Sequence, residues 1–195
     1  MKRAWLISLL GMFGCSGGAA KYPYYQEPDP RRAEYVIGVA DDLEVSVWKN
    51  RELDSKISVR PDGNITMPLV GDVRADGLTP TELRGQISRR LLAFLREQEA
   101  VVTVAVTSVN SYYVTVSGNV MTPGRFASRG YLTIADAVAL AGGPNRFAEP
   151  DGTILLRKST DGSIRTIPID YQGIIQGRSL EQNLVLVRGD TIYVP

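Results

Sequence analysis

Apolar and polar residues alternate over Leu43, Val45 and Val47 against Glu44, Ser46 and Trp48, the period of a half-buried β-strand. Arg60-Pro61-Asp62-Gly63-Asn64 interrupts the alternation as a turn. Proline presets φ there, Asp favours turn geometry, and Gly takes conformations that other residues resist. Ile65 and Met67 resume a strand. The period then changes. Thr79-Pro80-Thr81-Glu82 is a capping box with proline at the first helical position. Leu83, Ile87, Leu91, Phe94 and Leu95 follow at helical spacing and predict a helix over 80–97. Residues 100–107 return to strand, with Val102, Val104 and Val106 on one face. The first unit therefore reads β-β-α-β.

Tyr112, Val114 and Val116 alternate again until Gly118. Met121-Thr122-Pro123-Gly124 is a turn. Residues 133–141 form a short helix capped by Thr133, with Asp136 in its first turn and Gly142-Gly143-Pro144 as its stop. Strands follow at 154–158 and 164–169, and a last pair, 184–187 and 191–194, is expected across Arg188-Gly189-Asp190. This unit reads β-β-α-β-β-β. Two small α+β units in tandem suit 195 residues. They are not close repeats of each other.

Composition narrows the chemistry. Hydrophobic residues at 44% are enough for packed cores. A formal net charge of +1 gives no field that points to nucleic acid. The absence of histidine removes Ser-His-Asp triads, Cys-His dyads and histidine metal sites. No cofactor is expected. A glycosidase-like carboxylate pair among Asp41, Asp42, Glu44 and Asp62 is set aside in favour of turn and edge-strand roles.

The lone cysteine, Cys15, follows Lys2-Arg3, an apolar run from Ala4 to Phe13, and Gly14. This is the layout of a secretory signal too short to span a bilayer. The placement of Cys15 resembles the lipobox of bacterial lipoproteins, although Met12 and Phe13 are bulkier than usual. Residues 1–14 then read as a lipoprotein signal peptide with Cys15 as the lipid attachment point. The alternative is cleavage near Ala19 or Ala20, with Cys15 discarded. Ser16, being other than Asp, goes with outer-membrane sorting in the resembled lipoproteins. Residues 15–34, rich in small residues and proline, read as a flexible tether.

Residues 35–48, Tyr35-Val36-Ile37-Gly38-Val39-Ala40-Asp41-Asp42-Leu43-Glu44-Val45-Ser46-Val47-Trp48, and the run from Val59 through Arg60-Pro61-Asp62-Gly63-Asn64 to Pro68, Gly71 and Val73 resemble the polysaccharide biosynthesis/export domain. Ala40 stands where that family commonly has Gly. Residues Val114 to Val120, Pro123-Gly124, Leu132 to Ala137, Ala141-Gly142-Gly143 and Gly189 to Pro195 resemble the SLBB domain, a β-grasp module. The resemblance places an export domain at 35–109 and an SLBB domain at 110–195. Its motif residues are Asp41, Asp42, Pro61, Asp62, Gly63, Pro68 and Gly71 in the first, and Gly118, Pro123, Gly124, Gly142 and Gly143 in the second.

The resemblance is to Wza-like outer-membrane polysaccharide export proteins. It implies a lipid-anchored, non-enzymatic, homo-oligomeric ring on the periplasmic face of the outer membrane. Such a ring passes capsule or exopolysaccharide outward from an inner-membrane polysaccharide copolymerase and tyrosine kinase. Wza-like proteins carry a second SLBB domain and a pore-forming C-terminal helix, whereas this sequence stops at Val194-Pro195. A bilayer span takes ~20 apolar residues or a closed barrel, so a separate outer-membrane β-barrel is the expected partner. The competing function is a soluble periplasmic glycan-binding or sensing module without a conduit.

Arg125, Arg129, Arg146, Arg157 and Lys158 are read first as solvated surface. Arg125, Arg157 and Lys158 are the candidates for contact with an acidic polymer. Tyr22, Tyr24 and Tyr25 are read as tether contacts, and one of Tyr112 or Tyr113 must face a core.

Overall fold

A computed structural model describes residues 22–96, 99–159 and 161–195. The leader, Cys15 and the first part of the tether lie outside the described residues.

In the first domain, β1 (Asp42–Val47) runs antiparallel between β2 (Ser55–Ser58) and β5 (Val102–Ser108). The register sets Leu43 opposite Val106, Val45 opposite Val104 and Val47 opposite Val102, so one face of the pleat is apolar. Helix α1 (Pro80–Leu91) covers that face and buries Leu83, Ile87 and Leu91 completely. Its capping box is formed: Glu82 N–H donates to Thr79 Oγ1, and the Glu82 carboxylate accepts from Thr79 N–H. A hairpin of β3 (Asn64–Met67) and β4 (Gly71–Arg74) closes the core with Ile65, Met67 and Val73.

Two strands lie outside the sequence pattern. β2 and β4 are four residues each, too short and too exposed to show an alternation. The helix is also shorter than expected. After Leu91 the chain tightens into i→i+3 bonds, Ala93 N–H to Arg90 O and Phe94 N–H to Leu91 O, and Phe94 is left exposed.

The second domain is one five-stranded sheet in the order β7 (Gly124–Ala127), β6 (Tyr113–Gly118), β10 (Thr191–Val194), β8 (Thr153–Lys158), β9 (Ile164–Ile169). β10 runs parallel to β6 and antiparallel to β8. Helix α2 (Ile134–Leu140) packs Ile134, Ala137 and Val138 into the core, and α3 (Tyr171–Ile175) adds Tyr171 and Ile174. Tyr112 faces this core and Tyr113 does not.

The expected terminal hairpin is not formed. Residues 184–187 bridge to the N-terminus of α2 instead: Ile134 N–H donates to Leu184 O, and Leu186 N–H to Leu132 O. The Arg188-Gly189-Asp190 turn then crosses to β6. Gly189 N–H donates to Tyr113 O and Thr115 N–H to Asp190 O, which aligns β10 parallel to β6.

From residue 22 onward the linker is no free tether. Short 3₁₀ turns at Tyr24–Gln26 and Pro30–Arg32 shape it. Tyr24 is buried in the core of the second domain, against Tyr22 at 5.0 Å, and its hydroxyl donates to Pro168 O at 2.7 Å. The segment straps onto the second domain before the chain enters the first.

Candidate functional site at the domain junction

The two domains meet around Asp41. This carboxylate is fully buried just before β1 and accepts five hydrogen bonds. Oδ1 takes Asn110 N–H and Ser111 N–H, both at 2.8 Å. Oδ2 takes Gly38 N–H at 2.8 Å, Tyr35 O–H at 2.6 Å and Ser111 Oγ–H at 3.0 Å. Three donors therefore come from residues 110–111, where the chain leaves the first domain, and two from the entry to it. Burial, and then the hydrogen bond to the Asp41 carboxylate, hold the Tyr35 phenol well above the usual tyrosine range. Asp41 closes a turn, its N–H donating to Gly38 O, and its buried side chain does more than a turn residue needs. A buried carboxylate with both oxygens committed to donors is a structural hub.

Gly38 completes the junction. A Cβ there would stand 1.6 Å from Arg188 Nη1 and 2.4 Å from Ser111 Cβ, so only glycine lets the second domain close over this segment. Asp42, the next residue, accepts from Ser58 Oγ and from Asn110 Nδ2. The Pro61-Asp62-Gly63 turn connects to the hub through the backbone: Val59 N–H donates to Asp41 O and Ala40 N–H to Val59 O. Gly63, at φ +80°, is enclosed by Arg74 and Asp76. Beside it Arg60 reaches Asp62, Thr66 and Asp72 on the exposed face of the hairpin. Pro68 and Gly71 sit at the far end of that hairpin and join no cluster with the other motif residues.

In the second domain the motif glycines serve the backbone. Gly118 (φ +86°) ends β6 where a Cβ would lie 2.0 Å from Val194 O. Gly142 and Gly143 are both left-handed and stop α2, with Gly143 N–H donating to Val138 O. Pro123 is exposed in the β6–β7 turn, and Gly124 opens β7.

The three candidate polymer contacts separate. Arg157 is corrected: its side chain is 2% exposed and belongs to the interior. Its guanidinium donates to Asp190 at 2.6 Å, to Glu27 at 3.1 Å and to Val185 O at 3.0 Å. Desolvation works against its charge, but the Asp190 and Glu27 carboxylates outweigh it and raise its pKa. Glu27 reaches it from the strap, and also takes Arg165 at 2.9 Å and the Tyr22 hydroxyl. Burial pushes the Glu27 carboxyl up, and the hydrogen bonds from Tyr22 and Arg165 with the arginine charges bring it net below the ordinary range. Lys158, one residue on, is exposed at the end of β8. Arg125 is exposed on β7 with its guanidinium 3.8 Å from the centre of the Tyr113 ring.

Two clefts flank the junction and share Ser111 and Arg188. One of about 250 Å³ is lined by Tyr35, Tyr112, Tyr131, Glu34 and Val187. The other, about 370 Å³, is lined by Val39, Asp76, Asn110, Tyr113 and Arg125. Among the described residues no group of His, Cys, Asp and Glu is arranged to hold a metal ion. Gly38, Ser111, Arg188, Glu27 and Asp190 were not singled out as site residues by sequence reasoning. The one available signal was a pair of Gly-Asp or Gly-x-x-Asp steps, Gly38 to Asp41 and Gly189-Asp190, beside predicted strands.

A strand-and-helix domain fused through a buried hub to a five-stranded α+β domain is the class this geometry defines. Residues 29–107 match the family model described as polysaccharide biosynthesis/export protein, and residues 113–168 match the SLBB domain model. The chain therefore carries a polysaccharide biosynthesis/export domain followed by an SLBB domain. It is similar to the exopolysaccharide production protein ExoF of Rhizobium meliloti, 33% identical over 60% of this chain and 30% of ExoF. It is also similar to the EPS I polysaccharide export outer membrane protein EpsA of Ralstonia nicotianae, 28% identical over 82% of this chain and 47% of EpsA. The polysialic acid transport protein KpsD of Escherichia coli is 24% identical over 83% of this chain and 28% of its own length. The chain spans less than half the length of each of these relatives.

Proposed function

We propose that this chain is a periplasmic component of an outer-membrane polysaccharide export machine, guiding polymer without covalent chemistry. The observation that carries the reading is the pair of export-family domains locked at a fixed angle by the saturated Asp41 hub. A rigid two-domain unit is what repeated copies need in order to close a ring at a constant angle. A non-catalytic role is supported by the state of the carboxylates. Asp41 is enclosed by structural donors, and Asp62 serves its turn by accepting Asn64 N–H, so neither carboxylate is free for acid–base work. Attachment through a lipid at Cys15 puts the body on the periplasmic face of the outer membrane. There its neighbours are further copies of itself, an inner-membrane copolymerase and an outer-membrane β-barrel. No described helix is long and apolar enough to cross a membrane.

Deleting the gene is expected to abolish surface polysaccharide and leave polymer inside the cell envelope, with recovery on complementation. Unchanged surface polysaccharide refutes the reading. The competing reading, a glycan-sensing module, draws on the tyrosine-lined cleft at the junction. Particle images of protein purified from membranes separate the two: closed rings support export, and a stable monomer supports sensing.

A further inference from the structure

The cleft of about 370 Å³ at the junction has a charge pattern that the fold does not use. Its walls come from both domains: Val39 and Asp76 from the first, Tyr113, Arg125 and Arg188 from the second, with Asn110 at the crossing between them. Arg125 has no carboxylate partner among the described residues, and its guanidinium lies over the face of Tyr113. A guanidinium stacked on a ring keeps its in-plane N–H donors free and its orientation fixed. Arg188 meets Asp76 only at 3.7 Å, while Asp76 is held more closely by Arg74 at 3.0 Å. Both cations therefore face the cleft with unspent donors, and its one carboxylate is already engaged.

The backbone brings the two cations together. Gly189 N–H donates to Tyr113 O, so the turn that carries Arg188 is bonded to the residue on which Arg125 stacks. Gly38 leaves room for Arg188 to lie across the junction. Clefts between domains with a few convergent polar groups are the usual form of a small-ligand site. The ring of Tyr113, the amide of Asn110 and two forked donors match a pyranose that carries a carboxylate.

We propose that this cleft is a binding subsite for an anionic sugar residue, with Arg125 and Arg188 holding its carboxylate. The inference rests on the export reading and sharpens it to a substrate class, polymers that contain acidic sugars.

The probe is tetragalacturonate, with its methyl ester as the uncharged counterpart, titrated into the full chain by calorimetry. The acid is expected to bind about tenfold more tightly than the ester, the scale of one charge-assisted pair at a partly exposed site. Arg125→Gln, an exposed change away from the Asp41 hub, should bring the acid down toward the ester. Arg125→Lys should retain part of the preference. Arg188→Gln should act likewise, with circular dichroism showing that the junction stays folded. Equal binding of acid and ester, binding of the acid that survives both glutamine substitutions, or no binding at about millimolar ligand each overturns the subsite. The parent reading fails separately. If deletion abolishes surface polysaccharide and the double glutamine variant restores it fully, the subsite falls and export stands. If deletion changes nothing, export falls.

Discussion

Replacing Asp41 by Asn tests the hub with almost no change in shape. An amide must place an NH₂ where one carboxylate oxygen stood. At the Oδ1 position it would face Asn110 N–H and Ser111 N–H, two donors that cannot turn away. At the Oδ2 position it would face Gly38 N–H together with the hydroxyls of Tyr35 and Ser111, which can rotate and accept. The second orientation costs less: one stranded buried N–H, about 1–3 kcal/mol, plus the charge assistance lost from the bonds that remain, about 1 kcal/mol. The expected destabilisation is about 2–4 kcal/mol. For a chain of this length that lowers the melting temperature by about 5–15 °C. Because the lost bonds join the entry of the first domain to the start of the second, the melt should also separate into two transitions, one for each domain. Differential scanning calorimetry reads both effects, and ultraviolet titration should show the Tyr35 phenol falling back toward its ordinary range. A single transition displaced by less than about 2 °C would show that the five bonds are not what joins the domains.

Gly38→Ala places a methyl 1.6 Å from Arg188 Nη1 and 2.4 Å from Ser111 Cβ. The arginine tip can move and Ser111 Cβ cannot, so denaturant melts should show a loss of about 1–3 kcal/mol. Glu27→Gln leaves Arg157 with Asp190 as its one carboxylate partner among the described residues and should cost about 3 kcal/mol, with faster proteolysis within residues 22–34 as the strap lifts. Combining Glu27→Gln with Gly38→Ala should give non-additive losses, differing from the sum by more than about 0.5 kcal/mol, since Glu27, Arg157, Asp190 and the Arg188 turn form one chain of contacts; additive losses would refute that connection. The strap should also respond to pH at both ends. Glu27 has a folded pKa below its ordinary 4.5, so its contribution is present above 4.5 and is lost as pH falls through the lowered folded value. Tyr22 is raised from 10.0 to about 12, so its contribution is complete below 10 and is lost as pH climbs toward 12. Protease sensitivity of the strap measured across pH should rise on both sides.

The legible parts of the fold were those in which one element carries its own pattern. Leu83, Ile87 and Leu91 mark α1 because three turns of helix repeat a single stripe, and Thr79 with Glu82 fixes its start. The strands Asp42–Val47 and Tyr113–Gly118 are long enough to alternate. Opaque features depend on partners far along the chain. A strand after a Gly-Asp turn reads as the return arm of a hairpin. Nothing local to 184–195 says that β10 pairs in parallel with β6, more than seventy residues earlier. Likewise Arg157 sits on a strand as an ordinary alternating cation would. Only Asp190 and Glu27, 33 and 130 residues away, turn it inward.

The strap is the clearest case of this, and it changes what the order of the chain means. Pro23, Pro28 and Pro30 are as consistent with a free linker as with a docked one, because proline limits φ in either. Tyr24 and Glu27 decide the matter only once Pro168, Arg157 and Arg165 are in place to receive them. With the strap docked, both ends of the first domain terminate on the second: the entry through residues 22–27, the exit through Ser111 at the hub. A pull on the N-terminal segment is therefore met by the sheet of the second domain, not passed along the first. The force path runs from Glu27 through Arg157 to Asp190, whose Oδ2 accepts Val187 N–H at the turn that carries Arg188 over Gly38. The residues that hold the strap and those that set the angle between the domains are thus joined by one continuous run of hydrogen bonds and close contacts, which is why a change at either end should be felt at the other.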